Sequence, residues 1–485
     1  MLSLTAKPTA KNLSYLFIVA LILRAATFFF YVQHEERYKQ ADSMDYHNSA
    51  LAVGLGKGMT NLNNKQPIFW RTPGYPLFLS NFYKQCGIRH GGFTENMPAQ
   101  KAAIWVQLIL CSVIPIIVFF LALSLTSILS IAWITAWISV IHLGLILSST
   151  FLLTEGITLI FFYLFLLFFY KSFTCYGQTL ISDHRWKLHI ILAAVMLAIA
   201  TWIRPMGIFV SMVAMLLLAI IAHDSWWTKT KKITLFMLIF FGLLSPWYIR
   251  NYQLTGKPFF CPMFGIYLNA FVAPKILREL HNIPLEKTWN YMQQVANKQA
   301  IQELAKAQAK GKILCPDTAA GCVAWPIVLD HPWITFKVWM PEVLKSTLDL
   351  YSSQLVSFAN NSFTWDPLEE FLSEKVALCL YKQKMPLWMR LICWTEFLFS
   401  IALWISLFMG IWLFLVKSLW LRFNVSDDIK TQAALWFKLL FMIGAVMFMT
   451  GGFGYARLRL PVEPLMIILA LSFWHYHVIH VRTKN

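Results

Sequence analysis

Charge is scarce in this chain. Of 485 residues only 13% are Asp, Glu, Lys or Arg, while 58% are hydrophobic and 16% aromatic, and mean hydropathy is +0.58. A soluble domain carries roughly a quarter charged residues, so an ordinary water-soluble globule is excluded. Acidic residues are scarcer still, 23 against 41 Lys and Arg, for a formal net charge of +18. That excess does not point to nucleic acid. The basic residues fall largely at the ends of apolar runs, where cytoplasmic anchoring places them, and no basic module follows a nucleic-acid-binding pattern. The eight cysteines include no CxxC and no Cys/His array, which argues against a metal centre of that kind. Cys315 and Cys322, in "CPDTAAGC", are the one close pair; they read equally well as a small disulfide in an oxidising compartment and as two thiols. A Walker or dinucleotide glycine loop is also missing, and the lone cluster "GLGKG" reads as a helix stop rather than a phosphate cradle. No internal repeat is visible.

What is present is a series of apolar runs, at about 13–33, 101–123, 128–147, 149–170, 188–204, 206–222, 233–249, 388–416, 434–452 and 464–480. Each is near the length that crosses a ~30 Å hydrocarbon layer as a helix. The chain therefore reads as an all-α polytopic membrane protein with about ten spans. The first run is long, contains Arg24 and lacks a small-x-small cleavage site, so it reads as a retained span rather than a signal peptide. Short basic loops, among them "HDSWWTKTKK" and the terminal "RTKN", belong on the cytoplasmic side. Residues 34–100 and about 251–387 then face outward. This divides the chain into an N-terminal transmembrane module, 1–250, with its outer loop 34–100; an outer, mostly helical segment, 251–387; and C-terminal transmembrane helices, 388–485. In the first outer loop, Asp42 is placed to cap a helix running to about Leu55. "PGYPLFLSNFYKQCG" reads as a short amphipathic helix at the interface. In the second, "LEKTWNYMQQVANKQAIQELAKAQAKGK" reads as a solvent-facing helix.

With that topology the ionisable residues collect on one side. Asp42 and Asp45 lie just beyond the first span, and Arg71 precedes "TPGYP". Glu155 sits in "SSTFLLTEGITLIFF", Arg204 in "ATWIRPMG" and Arg250 in "PWYIRNYQ". Arg457, Arg459 and Glu463 lie in "GYARLRLPVEPL". Ionisable groups near hydrocarbon usually face a protein interior or a watery cavity, and several arginines together favour an anion such as a phosphate. Each residue alone has a plainer reading. Arg204 and Arg250 at span ends can snorkel to headgroups. Arg24 is expected to form a buried structural pair. Asp45 can be a solvated helix residue, and Asp42 only an N-cap. Their common sidedness is what raises the set above those readings.

The motifs resemble those of the GT-C membrane glycosyltransferases, in the branch that contains protein O-mannosyltransferases and the lipid A aminoarabinose transferase. The residues that carry the likeness are "ADSMDYHNSALAVGLGKG", "WRTPGYPLFLS", "TEG", "IRPMG", "PWYIRNYQLTGKP" and "ARLRLPVEPLMIILA", in this order across nearly the whole chain. The resemblance implies a GT-C-like bundle of about 10–13 transmembrane helices, with outer-face amphipathic helices and a long helical outer segment. It implies a polyprenyl-phosphate sugar as donor and membrane lipids as surroundings. The acceptor would be an envelope glycolipid, a glycan or a protein. Asp42 matches the catalytic carboxylate of the first loop, Glu155 the second acidic position, and Arg71 the basic residue that approaches the donor phosphate. Arg250 and Arg457 are expected to assist Arg71, and Asp45, Tyr46, Tyr75, Arg204, Tyr455 and Arg459 to line the substrate site. Here Asp42 is followed by Ser43 rather than by a second acid, which leaves open the part of Asp45 and of a divalent metal. The expected activity is inverting hexosyl or pentosyl transfer on the outer face of a bacterial inner membrane, toward the periplasm or cell exterior. Two other readings compete with it: a transporter or flippase for an anionic lipid or solute, and a lipid-linked glycan polymerase or ligase.

Overall fold

A computed structural model describes residues 7–40, 42–62, 66–87, 93–173, 185–221, 224–352, 386–416, 427–450 and 456–482. Among these residues the architecture is helical, with no strand beyond an isolated bridge between Thr60 and Pro67. In chain order the helices are α1 (Ala10–Thr27), α2 (Glu35–Tyr38), α3 (Ser43–Gly54), α4 (Gly74–Cys86), α5 (Met97–Cys111), α6 (Ile114–Thr126), α7 (Leu129–Ile141), α8 (Leu143–Thr150), α9 (Glu155–Lys171), α10 (Arg185–Ile203), α11 (Gly207–Ile221), α12 (Trp226–Thr255), α13 (Met263–Tyr267), α14 (Ala273–His281), α15 (Leu285–Gln308), α16 (Pro316–Asp330), α17 (Pro332–Leu348), α18 (Leu387–Gly410), α19 (Asp427–Thr450) and α20 (Glu463–Arg482).

Among the described residues, six stretches are long and apolar enough to cross a membrane: Ala10–Val32, Thr94–Thr126, Arg185–Ile203, Trp226–Thr255, Leu387–Phe414 and Gln432–Met449. The chain is an integral membrane protein. Ile18, Ile22, Phe29 and Phe30 are exposed along the first stretch, as expected of a surface whose solvent is lipid rather than water.

Four of the ten expected runs are therefore not among these stretches: 206–222 forms the shorter helix α11 and 464–480 lies in α20, while the other two are interrupted, each with an identifiable cause. The 128–147 run bends by 48° between α7 and α8. His142 leaves helical geometry there, and its ring Nδ1 accepts the Leu145 N–H at 3.4 Å, capping α8. The 149–170 run is not one helix: α8 ends at Thr150, and α9 begins only at Glu155. The intervening stretch is buried, so its backbone groups need partners. Gln107 on α5 donates to the carbonyls of Ser149 and Phe151 at 3.0 and 2.9 Å, Ser43 donates to Leu152 O at 3.0 Å, and Leu152 N–H donates to Tyr38 O at 3.1 Å. An interruption in a hydrophobic run is thereby stabilised by polar side chains from other helices. It leaves Glu155 at the head of α9.

The helix predicted from Asp42 to about Leu55 is α3, and the amphipathic "PGYPLFLSNFYKQCG" segment is α4. The polar "LEKTWNYMQQ" segment is α15, a 24-residue helix. Asp42 occupies the N-cap position but makes no capping hydrogen bond; its carboxylate is engaged elsewhere. Arg24 is fully buried, but it has no carboxylate partner among the described residues. Its Nη1 donates to Ala20 O at 3.2 Å, and Nε and Nη2 find no hydrogen-bond acceptor there. Cys315 is buried just ahead of α16 whereas Cys322 is exposed on it, and no disulfide joins them.

Candidate active site

Five chain segments bring three carboxylates and three guanidinium groups together. Asp42 and Asp45 come from the start of α3, Arg71 from the extended stretch before α4, and Glu155 from the first turn of α9. Arg204 follows the last turn of α10, and Arg457 lies in a 3-10 turn, Ala456–Leu458, before α20. Arg71 is the hub. Its Nη2 donates to Asp42 Oδ1 at 2.7 Å and to Asp45 Oδ2 at 2.8 Å, while Nε reaches Asp45 Oδ2 at 3.1 Å. Its guanidinium lies 4.9 Å from the centre of the Tyr46 ring, and Nη1 donates to the Tyr46 hydroxyl at 3.4 Å. Arg204 Nη1 pairs with Glu155 Oε1 at 2.7 Å. Arg457 spans the two halves, 3.7 Å from Asp42 Oδ2 and 3.7 Å from Glu155 Oε1.

Local packing explains why these groups meet. Thr72 donates to Ile203 O at 2.7 Å, which fastens the segment that carries Arg71 to the end of α10 beside Arg204. Gly74 allows that approach, since a Cβ there would lie 2.6 Å from the Trp202 carbonyl oxygen. Tyr75 is buried, stacks edge-on against Tyr46 at 5.2 Å, and donates to Gln107 Oε1 at 3.1 Å. Gln107 also holds the unwound stretch ahead of Glu155, so a single buried amide ties the two halves of the cluster together. Burial alone would raise the Asp42 carboxyl. Arg71 and Arg457 beside it, with the Arg71 hydrogen bond and the charge of Arg204, outweigh that and hold it below the ordinary carboxylate range.

A second set of polar groups lies beneath α3. His47 is buried, and its Nδ1 is 2.8 Å from the Tyr83 hydroxyl and 3.3 Å from Gln100 Nε2; Tyr38 donates to Gln100 Oε1 at 2.8 Å. Burial, followed by the charge of Lys39, lowers the imidazole from 6.5 to about 4. The unfolded chain takes up this proton near pH 6.5 and the folded one only near 4. The unfolded state therefore binds more protons between these values, and stability falls as pH falls through the interval. The expected result is a thermal-unfolding midpoint that drops between about pH 7 and about pH 5, and drops less in His47→Gln.

No known protein-family model matches the chain, and no curated protein matches it. Solved structures do. The apo oligosaccharyltransferase of Archaeoglobus fulgidus aligns over 98% of this chain and 52% of its own, with a TM-score of 0.51 and 12% identity. The same archaeal enzyme, AglB, in complex with an inhibitory peptide and a dolichol-phosphate aligns over 98% of this chain and 52% of its own, with a TM-score of 0.50 and 13% identity. The chain has the GT-C fold. At this identity the likeness concerns fold alone, and the chain spans about half the length of the archaeal enzyme it resembles.

Within its GT-C fold, Asp42, Asp45, Tyr46, Arg71, Glu155, Arg204 and Arg457 share one site, with Tyr75 behind Tyr46. Two other arginines singled out in the sequence lie elsewhere. Arg250 donates to the carbonyls of Met59 and Ile68 at 3.2 and 3.4 Å and to Asn251 Oδ1 at 2.8 Å. It also lies over Trp247, 4.3 Å from the ring centre. It fastens the first loop to α12. Arg459 is buried beneath the turn that carries Arg457. It donates to the carbonyls of Ser346, Thr347 and Asp349 around the end of α17 and pairs with Glu463 through Nε at 3.4 Å. Tyr455 lies outside the described residues.

The Arg459–Glu463 pair belongs to a network that sequence reasoning only touched. His142 Nε2 lies 3.2 Å from Glu463 Oε1, and the Tyr351 hydroxyl donates to Glu463 Oε2. Glu396 accepts from the backbone N–H of Ser352 at 2.9 Å and of Tyr351. Gly144 gives the Tyr351 ring its space, since a Cβ would meet the ring at 2.7 Å. Of these, Glu396 carried a readable signal, as the one acid in the apolar run "LICWTEFLFSIALW". Tyr351 carried none.

Proposed function

We propose that this protein is a membrane glycosyltransferase that takes a sugar from a polyprenyl-phosphate donor and passes it to a hydroxyl of a cell-envelope acceptor. The observation that carries this reading is the Asp42–Arg71–Arg457–Glu155–Arg204 cluster. It gathers carboxylates able to accept a proton and guanidiniums able to bind a phosphate in one site of a GT-C fold, which supports that reading. The lipid tail of such a donor stays in the bilayer, so the anomeric carbon is presented at the membrane interface. The Asp42 carboxylate takes the proton of the acceptor hydroxyl as its oxygen forms a bond to that carbon. The bond between the anomeric carbon and the phosphate oxygen breaks, and the electron pair leaves with the polyprenyl phosphate. Arg71 and Arg457 stabilise the charge that grows there. A phosphate leaves without protonation, so no second acid is needed. Glu155, held by Arg204, orients the acceptor or the sugar hydroxyls. A single displacement with one base inverts the anomeric centre, by the geometry that distinguishes inverting glycosidases.

The carboxylate set does not fit a divalent metal as it stands. Each of the three acids is already held by an arginine, and among the described residues no three His, Cys, Asp or Glu side chains converge as metal ligands would. No step above is routed through one.

The side of the membrane follows from the basic loops and puts the cluster on the outer face, in a bacterial inner membrane by the resemblance. The experiment is a mass-spectrometric comparison of envelope glycolipids and glycoproteins from cells with and without this protein. A glycan that disappears with the protein and returns with the wild-type copy is the expected result. Unchanged glycans, together with counter-ion-coupled uptake of an anionic solute into proteoliposomes, would instead favour transport.

A further inference from the structure

Three acids and three guanidinium groups neutralise one another in the site, so an incoming phosphate must displace a carboxylate to reach an arginine. Asp45 is the member built to be displaced. Its side chain is 42% exposed, against 33% for Asp42, and among the described residues its one ion pair is with Arg71. Arg71 directs two N–H groups, Nε and Nη2, at the single oxygen Oδ2 of Asp45. A guanidinium offers a phosphate oxygen the same kind of charge-assisted contact. Asp42 differs, because Arg457 holds its other oxygen and remains when Arg71 moves.

We propose that Asp45 is an internal stand-in for the donor phosphate: it holds Arg71 in the unloaded site, yields it when the lipid phosphate enters, and takes it back when the product leaves. This rests on the reading of the site as one for a lipid phosphate. The exposed partner of the Arg71–Asp45 pair is readily exchanged, since water solvates the released carboxylate. The exchange has a second effect. When Arg71 turns to the phosphate, Asp42 loses one of its two cationic partners and becomes a stronger base at the moment a base is required. Asp45 thus sets how tightly the anionic lipid is held and how readily the spent carrier leaves.

The test uses the full chain in nanodiscs titrated with undecaprenyl phosphate, and in parallel with inorganic phosphate. Asp45→Asn keeps the shape of the side chain and removes the competing charge. It is expected to bind undecaprenyl phosphate about two- to fivefold more tightly than wild type, a gain of the size a partly exposed ion pair supports. In turnover, KM and kcat should both fall, because product release slows. Asp45→Glu restores a competing carboxylate and should bring affinity back toward wild type. Arg71→Gln combined with Asp45→Asn should abolish the gain. Tightening in both ligand arms, or in the lipid arm alone, supports the proposal. Unchanged or weaker lipid binding in Asp45→Asn overturns it, as does tightening for inorganic phosphate only. If wild type binds no undecaprenyl phosphate, the glycosyltransferase reading fails with it.

Discussion

Asp42→Asn is expected to lower sugar transfer by about 10²–10⁴-fold, the usual contribution of a positioned general base, while the protein still inserts and folds. The substitution is nearly isosteric and keeps one oxygen for Arg71 at the position now 2.7 Å away. What it removes is the ability to take a proton from the acceptor hydroxyl. Because Asp42 serves no capping role, α3 does not depend on its charge, and the loss should fall on catalysis rather than on stability. The measurement is transfer from a polyprenyl-phosphate sugar in membranes, beside a melting curve of the purified variant. The low carboxyl pKa imposed by Arg71 and Arg457 in the unloaded site also predicts that wild-type kcat/KM, which reports the free enzyme, holds as pH falls through the ordinary carboxylate range. Full transfer by Asp42→Asn would remove Asp42 as the base and pass that role to Glu155 or Asp45.

Glu463→Ala is the variant with the largest expected effect on stability, about 3–5 kcal/mol, the range for removing one partner of a buried ion pair. Arg459 and Glu463 are both buried. The carboxylate accepts from Arg459, His142 and Tyr351, which come from three separate parts of the chain. Without it, Arg459 keeps the carbonyls around the end of α17 but loses its counter-charge, and the Tyr351 hydroxyl and His142 N–H lose their acceptor. Thermal unfolding in nanodiscs should show a clear drop for Glu463→Ala. Arg459→Met combined with Glu463→Leu should recover much of it, because no buried charge is left stranded. The network also holds the turn that carries Arg457 into the site, so Glu463→Ala should lower transfer as well. An unchanged melting temperature would mean that Arg459 is neutralised by groups other than Glu463.

The membrane character of the chain, most of its span positions, and the helices α3, α4 and α15 were legible in the order of residues. These depend on local quantities: the length of an apolar run, the charge at its ends, a helix-forming or amphipathic pattern. That Asp42, Asp45, Arg71, Glu155, Arg204 and Arg457 would lie near one another was legible too, because the expected alternation of apolar runs brings the loops that carry them together. The breaks at His142 and before Glu155 were not. Both segments are apolar; at the first the His142 ring caps α8, and at the second the break is held by Gln107, Ser43 and the Tyr38 carbonyl, supplied by other helices.

Pairing is what only the tertiary structure decided. Arg71 reaches Asp42 and Asp45 across 29 and 26 positions. Tyr351 reaches Glu463 across 112. No spacing rule links residues so far apart. Two arginines that look alike in "ARLRL" part company for the same reason: residues two apart in a tight turn point to different surroundings, so Arg457 enters the site and Arg459 is buried against α17 and Glu463. Sequence alone determined that ionisable groups would gather among the ends of apolar helices. Packing determined which of them would touch, because hydrogen bonds and ion pairs act over a few ångströms and depend on direction, which a linear order does not contain.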